Sequence, residues 1–362
     1  MNILILTNHL NIGGITRYVL NLAAGLKENG HNVFVGASAR GQRQNILEKK
    51  NISFLELPLE TKSILSPRLM LAYAVLKKFI QDNDIHIIHA QTRITQFLGF
   101  LLSRSLDVRY VCTFHGFYRP HLVRKLLPCF GNLTIAISQA VGSHLIEDFG
   151  LNRDNLRVVY NAVVCEFDSQ VDDRADYSKY KGKPTLGIIA RLSAEKGHEV
   201  LFSAFERLIN GYPSARLLVV GQGKKELELK HWVKTHGLNR QIIFLGNEPN
   251  LSSIYNILDI SVLPSSREGL GFSILEAQAK GLPVVASRVG GIEEIIEHKH
   301  TGILVEPNNA QELYQGIKLL LEDSALRQKI KNNAKKQIED KFGLKDMSLK
   351  VEAIYKQALK RG

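Results

Sequence analysis

The chain has 362 residues, of which 44% are hydrophobic and 23% charged, and its formal net charge is +12. This balance is typical of a globular protein with about two domains, and it excludes disordered and fibrous classes. The positive excess favours an anionic partner (a phosphorylated small molecule, a nucleic acid or an acidic lipid surface), although solubility alone explains it equally well.

The sequence shows no feature of secretion or membrane insertion. Cys112, Cys129 and Cys165 have no paired spacing, which favours a reducing compartment over a disulfide framework or a metal site. No apolar run reaches the roughly 18 residues that span a bilayer. The N-terminal MNILILTN begins a strand pattern at once, without a signal peptide. We therefore expect a cytoplasmic protein.

Short runs rich in Ile and Val alternate with helical patterns through the first part of the chain. Runs that are apolar on both faces are typical of buried strands in a parallel sheet, with helices as crossovers. Together they predict a first doubly wound, Rossmann-like α/β domain over residues 1–165. The predicted strands are ILILT (3–7), VFVGA (33–37), ISFLEL (52–57), IHIIHA (85–90), YVCTF (110–114), LTIAIS (133–138) and RVVYN (157–161).

A polar, charged segment without a periodic apolar face interrupts this pattern and predicts a linker over residues 166–183. The pattern then restarts and predicts a second doubly wound domain over residues 184–343. A last helical stretch, residues 344–362, is predicted to cross back onto the first domain. The strands predicted for the second domain are TLGIIA (185–190), RLLVVG (216–221), IIFLG (242–246), ISVLP (260–264), LPVVAS (282–287) and TGILV (301–305).

Candidate site residues follow the strands of the first domain. Ligands of doubly wound sheets bind at the carboxyl ends of strands, here in an expected central cleft between the two domains. Gly13 and Gly14 open a helix whose backbone N–H groups suit an anion, although a plain strand-to-helix turn is the alternative. This pattern is not G-x-G-x-x-G, which disfavours an NAD-dependent dehydrogenase. His115 ends a strand, where we expect exposure to the cleft; a structural histidine is the alternative.

The second domain contributes two cations and two carboxylates. Arg191 and Lys196 follow its first strand, where a helix N-terminus attracts an anion, so they suit a diphosphate. A solvated surface pair is the alternative. The stretch SSREGLGFSILEAQAKGLPVVAS adds Glu268 in a Gly-rich turn and Glu276 in a helix predicted over 272–280. Carboxylates that face neutral hydroxyls and cations that face a diphosphate describe a site for a nucleotide-sugar.

These motifs resemble those of family 4 of the retaining GT-B glycosyltransferases. The resemblance rests on the E-x7-E spacing within that stretch and on R-L-S-A-E-K-G before it. Supporting matches extend it over nearly the whole chain, and the second domain is the more diagnostic. They are G-G-x-x-R (13–17), F-H-G (114–116), V-G-Q-G (220–223), F-L-G (244–246), G-G-I-E-E-I-I (290–296) and T-G-I-L-V (301–305).

The resemblance implies a role for each candidate residue. Arg191 and Lys196 would bind the donor diphosphate and stabilise charge on the leaving nucleotide. Glu268 and His115 would contact the transferred sugar, and Glu276 would hold the ribose. The remaining donor-binding positions are Gly14, Gly221, Gly246, Gly271 and Phe272.

The resemblance also implies the reaction. A hexosyl group would pass from a UDP- or GDP-linked sugar to a glycan or lipid-linked acceptor, with retention of configuration and without a metal or other cofactor. The setting would be cell-envelope polysaccharide or lipopolysaccharide biosynthesis. A nucleotide-sugar epimerase or a phosphorylase on the same architecture is the alternative. Nucleic-acid binding is disfavoured, because the cations at motif positions are few and lie at loop tips.

Two basic amphipathic stretches in the first domain are candidates for contact with acidic lipid headgroups. For 66–81, a helix packed on the sheet is favoured. For 117–132, the sequence favours neither a helix packed on the sheet nor contact with a membrane. The resulting expectation is peripheral association with the inner face of the cytoplasmic membrane through 117–132.

Overall fold

The computed structural model describes residues 1–11, 13–38, 44–61, 63–64, 66–164, 177, 180, 182–248 and 250–361. Two compact units divide the chain: residues 1–162 with 343–362 form the first, and residues 163–342 form the second. Most of the predicted linker, together with Cys165, lies outside the described residues.

A parallel sheet forms the centre of the first unit. Its strands are β1 (Asn2–Leu6), β2 (Asn32–Ala37), β3 (Ser53–Glu56), β4 (Ile87–Ala90), β5 (Arg109–Phe114), β6 (Leu133–Ala136) and β7 (Leu156–Val158). They lie in the order β3-β2-β1-β4-β5-β6-β7. Because β1 pairs with β2 on one side and with β4 on the other, the direction of strand addition reverses at β1.

Helices cover both faces of this sheet, as the apolar strands require. They are α1 (Gly14–Glu28), α2 (Gln44–Lys49), α3 (Pro67–Asp82), α4 (Arg93–Ser105), α5 (Leu122–Leu126) and α6 (Gln139–Phe149). In β1, residues 3–6 have no exposed surface, which is why that run is apolar at successive positions.

The second unit repeats this architecture around a six-stranded parallel sheet. Its strands are β8 (Thr185–Ile189), β9 (Arg216–Val220), β10 (Ile242–Gly246), β11 (Ile260–Leu263), β12 (Val284–Ser287) and β13 (Ile303–Val305). They lie in the order β10-β9-β8-β11-β12-β13, so strand addition reverses at β8. The helices are α7 (His198–Leu208), α8 (Glu226–Thr235), α9 (Leu251–Tyr255), α10 (Phe272–Ala279), α11 (Ile292–Ile295), α12 (Ala310–Glu322) and α13 (Ser324–Lys341).

The C-terminal helix α14 (Leu344–Lys360) belongs to the first unit. Its apolar face joins the core formed by β1, β2 and α1, with Met347, Val351 and Tyr355 buried there. Gly25 of α1 allows the close approach, because a Cβ atom at this position would lie 2.7 Å from the Cβ of Ser348. The predicted return of the C-terminal helix to the first domain is confirmed.

The prediction of two doubly wound α/β domains is confirmed, and every predicted strand is present. Helix α3 buries Leu69, Ala72, Leu76 and Ile80, as favoured for the stretch 66–81. Within 117–132, only the five residues of α5 are helical. Across the described part of the chain, no helix is both long enough and apolar enough to cross a bilayer.

Candidate functional site

The reversal of strand order in the second unit places two loops side by side. Strands β8 and β11 are neighbours, and their crossovers lead away in opposite directions. In doubly wound sheets, ligands bind at the carboxyl ends of the strands at this point. The loop 190–197 follows β8 and the loop 264–271 follows β11, so the predicted Arg191, Lys196 and Glu268 lie at this edge.

Gly197 allows these two loops to pack closely against each other. Its φ of 68° is left-handed, and a Cβ atom here would lie 2.0 Å from the Pro264 carbonyl oxygen. A second link is the backbone N–H of Ser266, which donates to the carbonyl oxygen of Glu195 at 2.9 Å. Glycine is therefore required at position 197, because the backbone is left-handed there and a Cβ atom would clash with Pro264.

Lys196 and Glu268 form an ion pair between Nζ and Oε2. Their side chains are 17% and 14% exposed, so the pair is partly shielded from water but still reachable. The hydroxyl of Ser265 donates to the same carboxylate oxygen at 3.5 Å. The structure thus brings together the two charged groups that the sequence assigns to the diphosphate and to the sugar.

Arg191 is exposed directly after β8, and it has no ion-pair partner among the residues that the structure describes. Nearby Glu195 is a carboxylate that the sequence predictions left unassigned. Partial burial raises the pKa of Glu195, but a hydrogen bond from the Ser193 hydroxyl and the charges of Arg191 and Lys196 lower it overall. Glu195 is therefore ionised at neutral pH and offsets part of the positive charge.

Gly271 is the N-cap residue of α10 and has a left-handed φ of 94°. The predicted donor-binding positions Gly271 and Phe272 therefore lie at the positive end of an eight-residue helix. Glu276 follows one turn later and is buried, with 8% exposure. Tyr255 of α9 donates from its hydroxyl to Oε2 of Glu276 at 2.9 Å. No sequence signal pointed to Tyr255, because this contact is made only by folding.

Glycines also join the loops that follow β8, β9 and β10. A Cβ atom at Gly221 would lie 2.0 Å from the Ala190 carbonyl oxygen, and one at Gly223 would lie 2.2 Å from that of Leu192. The backbone N–H of Gly221 donates to the carbonyl oxygen of Gly246 at 2.7 Å. The predicted donor-binding glycines Gly221 and Gly246 thus hold neighbouring loops in backbone contact, and their contact with a donor stays a prediction.

Gly291 supports the turn that contains Glu268. Its backbone N–H donates to the Glu268 carbonyl oxygen at 3.1 Å. A Cβ atom at Gly291 would lie 2.1 Å from the carbonyl oxygen of Gly269. The G-G-I-E-E-I-I motif therefore acts on the site through the backbone, a role that the sequence predictions did not assign.

His198 follows Lys196 and Gly197, and it is a buried residue that the predictions missed. It is 2% exposed, and neither ring nitrogen has a hydrogen-bond partner within the described ranges. Burial, and then the charge of Lys196, lower the pKa of His198 to about 4. This imidazole is therefore neutral at pH 7.

The first unit has its own reversal of strand order, between β1 and β4. The predicted Gly14 is the first residue of α1, which follows β1. The loops after β1 and β4 are joined by the Thr92 hydroxyl, which donates to Oδ1 of Asn8 at 2.5 Å. Gly14 therefore lies at the edge where ligands of such sheets bind.

His115 follows β5 at this same edge, but it is half-buried and not exposed as predicted. Its Nε2 lies 2.9 Å from Oε1 of Gln91, and its ring meets that of Tyr18 edge to face at 4.8 Å. Burial lowers the pKa of His115 to about 3. The ring is neutral at pH 7, so its two nitrogens are not both donors.

The segment after His115 presents apolar side chains to solvent. Leu122, Val123 and Leu126 of α5 are 73%, 57% and 72% exposed. Arg124 lies over the ring of Tyr118 at 4.0 Å. This combination of apolar and cationic groups fits the predicted amphipathic character of 117–132.

Comparison with known proteins finds chains that are similar over nearly the whole sequence. N-acetyl-alpha-D-glucosaminyl L-malate synthase of Bacillus anthracis is 25% identical, with 98% of this chain and 97% of the relative covered. An uncharacterized glycosyltransferase of Methanocaldococcus jannaschii is 27% identical, with 96% and 95% covered. The fold is similar to that of Anabaena Alr3699/HepE in complex with UDP and glucose, with a TM-score of 0.85, 23% identity and coverage of 99% and 100%.

Two family profiles match the chain one after the other. Residues 12–167 match Glycosyltransferase Family 4, and residues 169–337 match Glycosyl transferases group 1. These two matches together extend over nearly the whole sequence, and the fold is that of GT-B enzymes. The chain belongs to the family 4 glycosyltransferases.

Proposed function

We propose that this glycosyltransferase takes a hexosyl group from a UDP- or GDP-linked sugar, retains the anomeric configuration, and uses no metal or other cofactor. The acceptor is a glycan or lipid-linked glycan of the cell envelope or a surface polysaccharide. The observation that carries the proposal is the Lys196–Glu268 ion pair at the strand-order reversal of the second unit. In this pair, the ammonium of Lys196 is suited to bind phosphate, and the carboxylate of Glu268 beside it is suited to bind sugar hydroxyls.

The proposed chemistry is electrostatic. When the bond between sugar and phosphate breaks, negative charge grows on the departing diphosphate. Lys196 and Arg191 supply positive charge, and the N-terminus of α10 adds its dipole. Lys196, held by its ion pair with Glu268, and the N-terminus of α10 are in place before the reaction, so little reorganisation of these groups is needed as the charge develops.

The carboxylates have different tasks in this proposal. Glu268, at the turn before α10, accepts hydrogen bonds from hydroxyls of the transferred sugar. Glu276 accepts them from the ribose, and its bond from Tyr255 keeps the carboxylate in place. The Anabaena protein of similar fold was solved with UDP and glucose, which supports the choice of donor class.

A panel of UDP- and GDP-linked sugars tests the proposal. Many transferases hydrolyse their donor slowly when no acceptor is present. We therefore expect at least one nucleotide-sugar of the panel to be hydrolysed to free sugar, and to be hydrolysed also in the presence of EDTA, which removes metal ions. NMR of the fresh product should show the anomer that the donor carried. Absence of hydrolysis and of binding across the panel would refute the donor assignment, and the opposite anomer would refute retention.

We further propose that the chain works at the inner face of the cytoplasmic membrane, held there by α5 and its flanking residues. Exposed Leu122 and Leu126 would enter the headgroup region, and Lys125 would meet acidic lipid. Flotation with anionic liposomes at low salt should carry the chain upward. A Leu122→Ser, Leu126→Ser variant should stay behind, and equal flotation of both would exclude this surface.

A further inference from the structure

The hydrogen bond between His115 and Gln91 constrains the chemistry of the imidazole. Nε2 of His115 lies 2.9 Å from Oε1 of Gln91. Gln91 follows β4, His115 follows β5, and the two strands are adjacent in the sheet. Gln91 has no exposed surface, so water does not compete for its amide.

The orientation of the Gln91 amide follows from its other contact. Its Nε2 lies 3.5 Å from the carbonyl oxygen of His89, which can only accept a hydrogen bond. The NH₂ group therefore points to His89, and Oε1 points to His115. An amide oxygen is also only an acceptor, so Nε2 of His115 must carry a hydrogen.

The opposite nitrogen of His115 is then an acceptor. Burial lowers the pKa of this histidine to about 3, so the ring holds one proton at neutral pH. With that proton on Nε2, Nδ1 has a free lone pair. No described residue donates to Nδ1, and this atom is not among the buried atoms sealed from solvent.

We propose that Gln91 is a positioning residue that holds His115 in the Nε2–H tautomer, so that Nδ1 accepts a hydrogen bond from a hydroxyl of the donor sugar. This inference rests on the proposed function, and it takes from the sequence analysis the expectation that His115 contacts the transferred sugar. A lone pair repels anionic oxygen, so the partner of Nδ1 is a hydroxyl and not a phosphate.

The surroundings of His115 also hold the ring plane. Tyr18 packs edge to face against it at 4.8 Å. The Tyr18 hydroxyl lies 3.2 Å from Oγ1 of Thr113, and that oxygen lies 2.7 Å from Nε2 of His89. Since Tyr18, Thr113 and His89 are fully buried, the packing fixes the ring and Gln91 fixes its proton.

Nitrogen NMR of the full chain with ¹⁵N-labelled histidine measures the tautomer directly. His115→Asn identifies the signals of His115 by their loss. We expect a protonated, pyrrole-type Nε2 and a pyridine-type Nδ1 at pH 7. A proton on Nδ1, or on both nitrogens, would overturn the proposal without any variant of Gln91.

Gln91→Met removes the acceptor and should leave His115 with a mixture of tautomers and a roughly tenfold lower kcat for donor hydrolysis. Gln96→Met is the matched control, since Gln96 is equally buried but donates to the Thr113 carbonyl oxygen. Gln91→Glu restores an acceptor oxygen and should restore the Nε2–H tautomer. An unchanged tautomer in Gln91→Met would show that Gln91 does not set it.

Titration with the same panel of UDP- and GDP-linked sugars separates this inference from the proposed function. The sugar that is hydrolysed should shift the His115 Nδ1 signal, whereas UDP and GDP alone should not. If a sugar is hydrolysed but the Nδ1 signal stays in place, the role of Nδ1 is wrong and the transferase assignment stands. If no sugar of the panel binds while the tautomer is as stated, the donor assignment fails.

Discussion

Lys196 is the residue on which the proposed catalysis depends most. Its ammonium is held by Glu268 beside the reversal of strand order, ready to meet a diphosphate. We expect Lys196→Ala to lower donor turnover by about 10²–10³-fold, the usual effect of losing one fixed charge-stabilising group. Steady-state hydrolysis measures this loss.

Lys225 provides the matched control. It also pairs with a glutamate of the second unit, Glu228, but at the N-terminus of α8, where the two side chains are 33% and 57% exposed. Lys225→Ala should turn over donor at the wild-type rate with an unchanged unfolding midpoint. Wild-type turnover by Lys196→Ala would contradict the assignment.

The variant Glu268→Gln distinguishes recognition of the sugar from binding of the diphosphate. Removing the negative charge leaves Lys196 without its ion-pair partner, so the affinity for free nucleoside diphosphate should be retained or rise by up to about tenfold. Hydrolysis of the nucleotide-sugar should fall about 10²-fold, because hydroxyl recognition is lost. Calorimetry and kinetics give the two values; a large loss of diphosphate affinity would exclude Glu268 from the sugar.

The buried His89 should make the stability of the first unit sensitive to acid. Its pKa is lowered to about 3, first by burial and then by the neighbouring His115, against about 6.5 when unfolded. The unfolded chain thus binds the extra proton between these values, and stability falls as pH drops below about 6.5. From there to pH 5 the loss is about 2 kcal/mol. In urea unfolding, His89→Asn should lose less stability than wild type between pH 7 and pH 5; equal losses would refute this origin.

At the scale of elements, the contact between the loops after β8 and β11 depends on Gly197. Gly197→Ala adds a methyl group that would lie 2.0 Å from the Pro264 carbonyl oxygen, so one loop must move. Gly237→Ala is matched, because both glycines have a φ of 68° and nothing lies near the added carbon at Gly237. The control should cost about 1–2 kcal/mol. Gly197→Ala should cost more and abolish turnover, and equal midpoints and activity in the two variants would show that the loop contact is unimportant.

The strands could be predicted because most of them consist of successive apolar residues and are buried on both faces of their sheet. The run 3–6 shows this clearly: four apolar residues in succession fit only a strand covered on both faces. The short length of α5 also has a local cause, because Pro120 and Pro128 flank its five residues. The contact of Arg124 with the ring of Tyr118 could not be predicted, because it depends on the fold of the segment.

The charged candidate residues could be picked out from motifs, and their role in the site stays a prediction, but the contacts that hold the candidates in place could not be predicted. Glu268 and Lys196 stand in motifs, whereas Tyr255 and Gln91 act through contacts between residues that are distant in the chain. The exposure of His115 was wrong for the same reason. Its partial burial depends on the ring of Tyr18 from α1, a contact that the local sequence does not reveal.

At the scale of the molecule, α14 is a structural part of the first unit although the chain reaches it after the second. Val351→Asp would place an unpaired charge in that core and should destabilise the first unit by about 3 kcal/mol or more. Leu349→Asp is the control on the same helix, at a position 46% exposed. Hydrogen exchange should show faster exchange in residues 1–162 and unchanged protection in 183–342; uniform loss across both would contradict the division.

This division has a consequence during protein synthesis. Residues 1–162 emerge from the ribosome long before Val351 and Tyr355, which complete the hydrophobic surface around α1. The second unit is continuous in sequence and has all its partners as soon as residue 342 is translated. The half made first is therefore finished last, and its incomplete apolar face must stay soluble on the nascent chain until the final helix arrives.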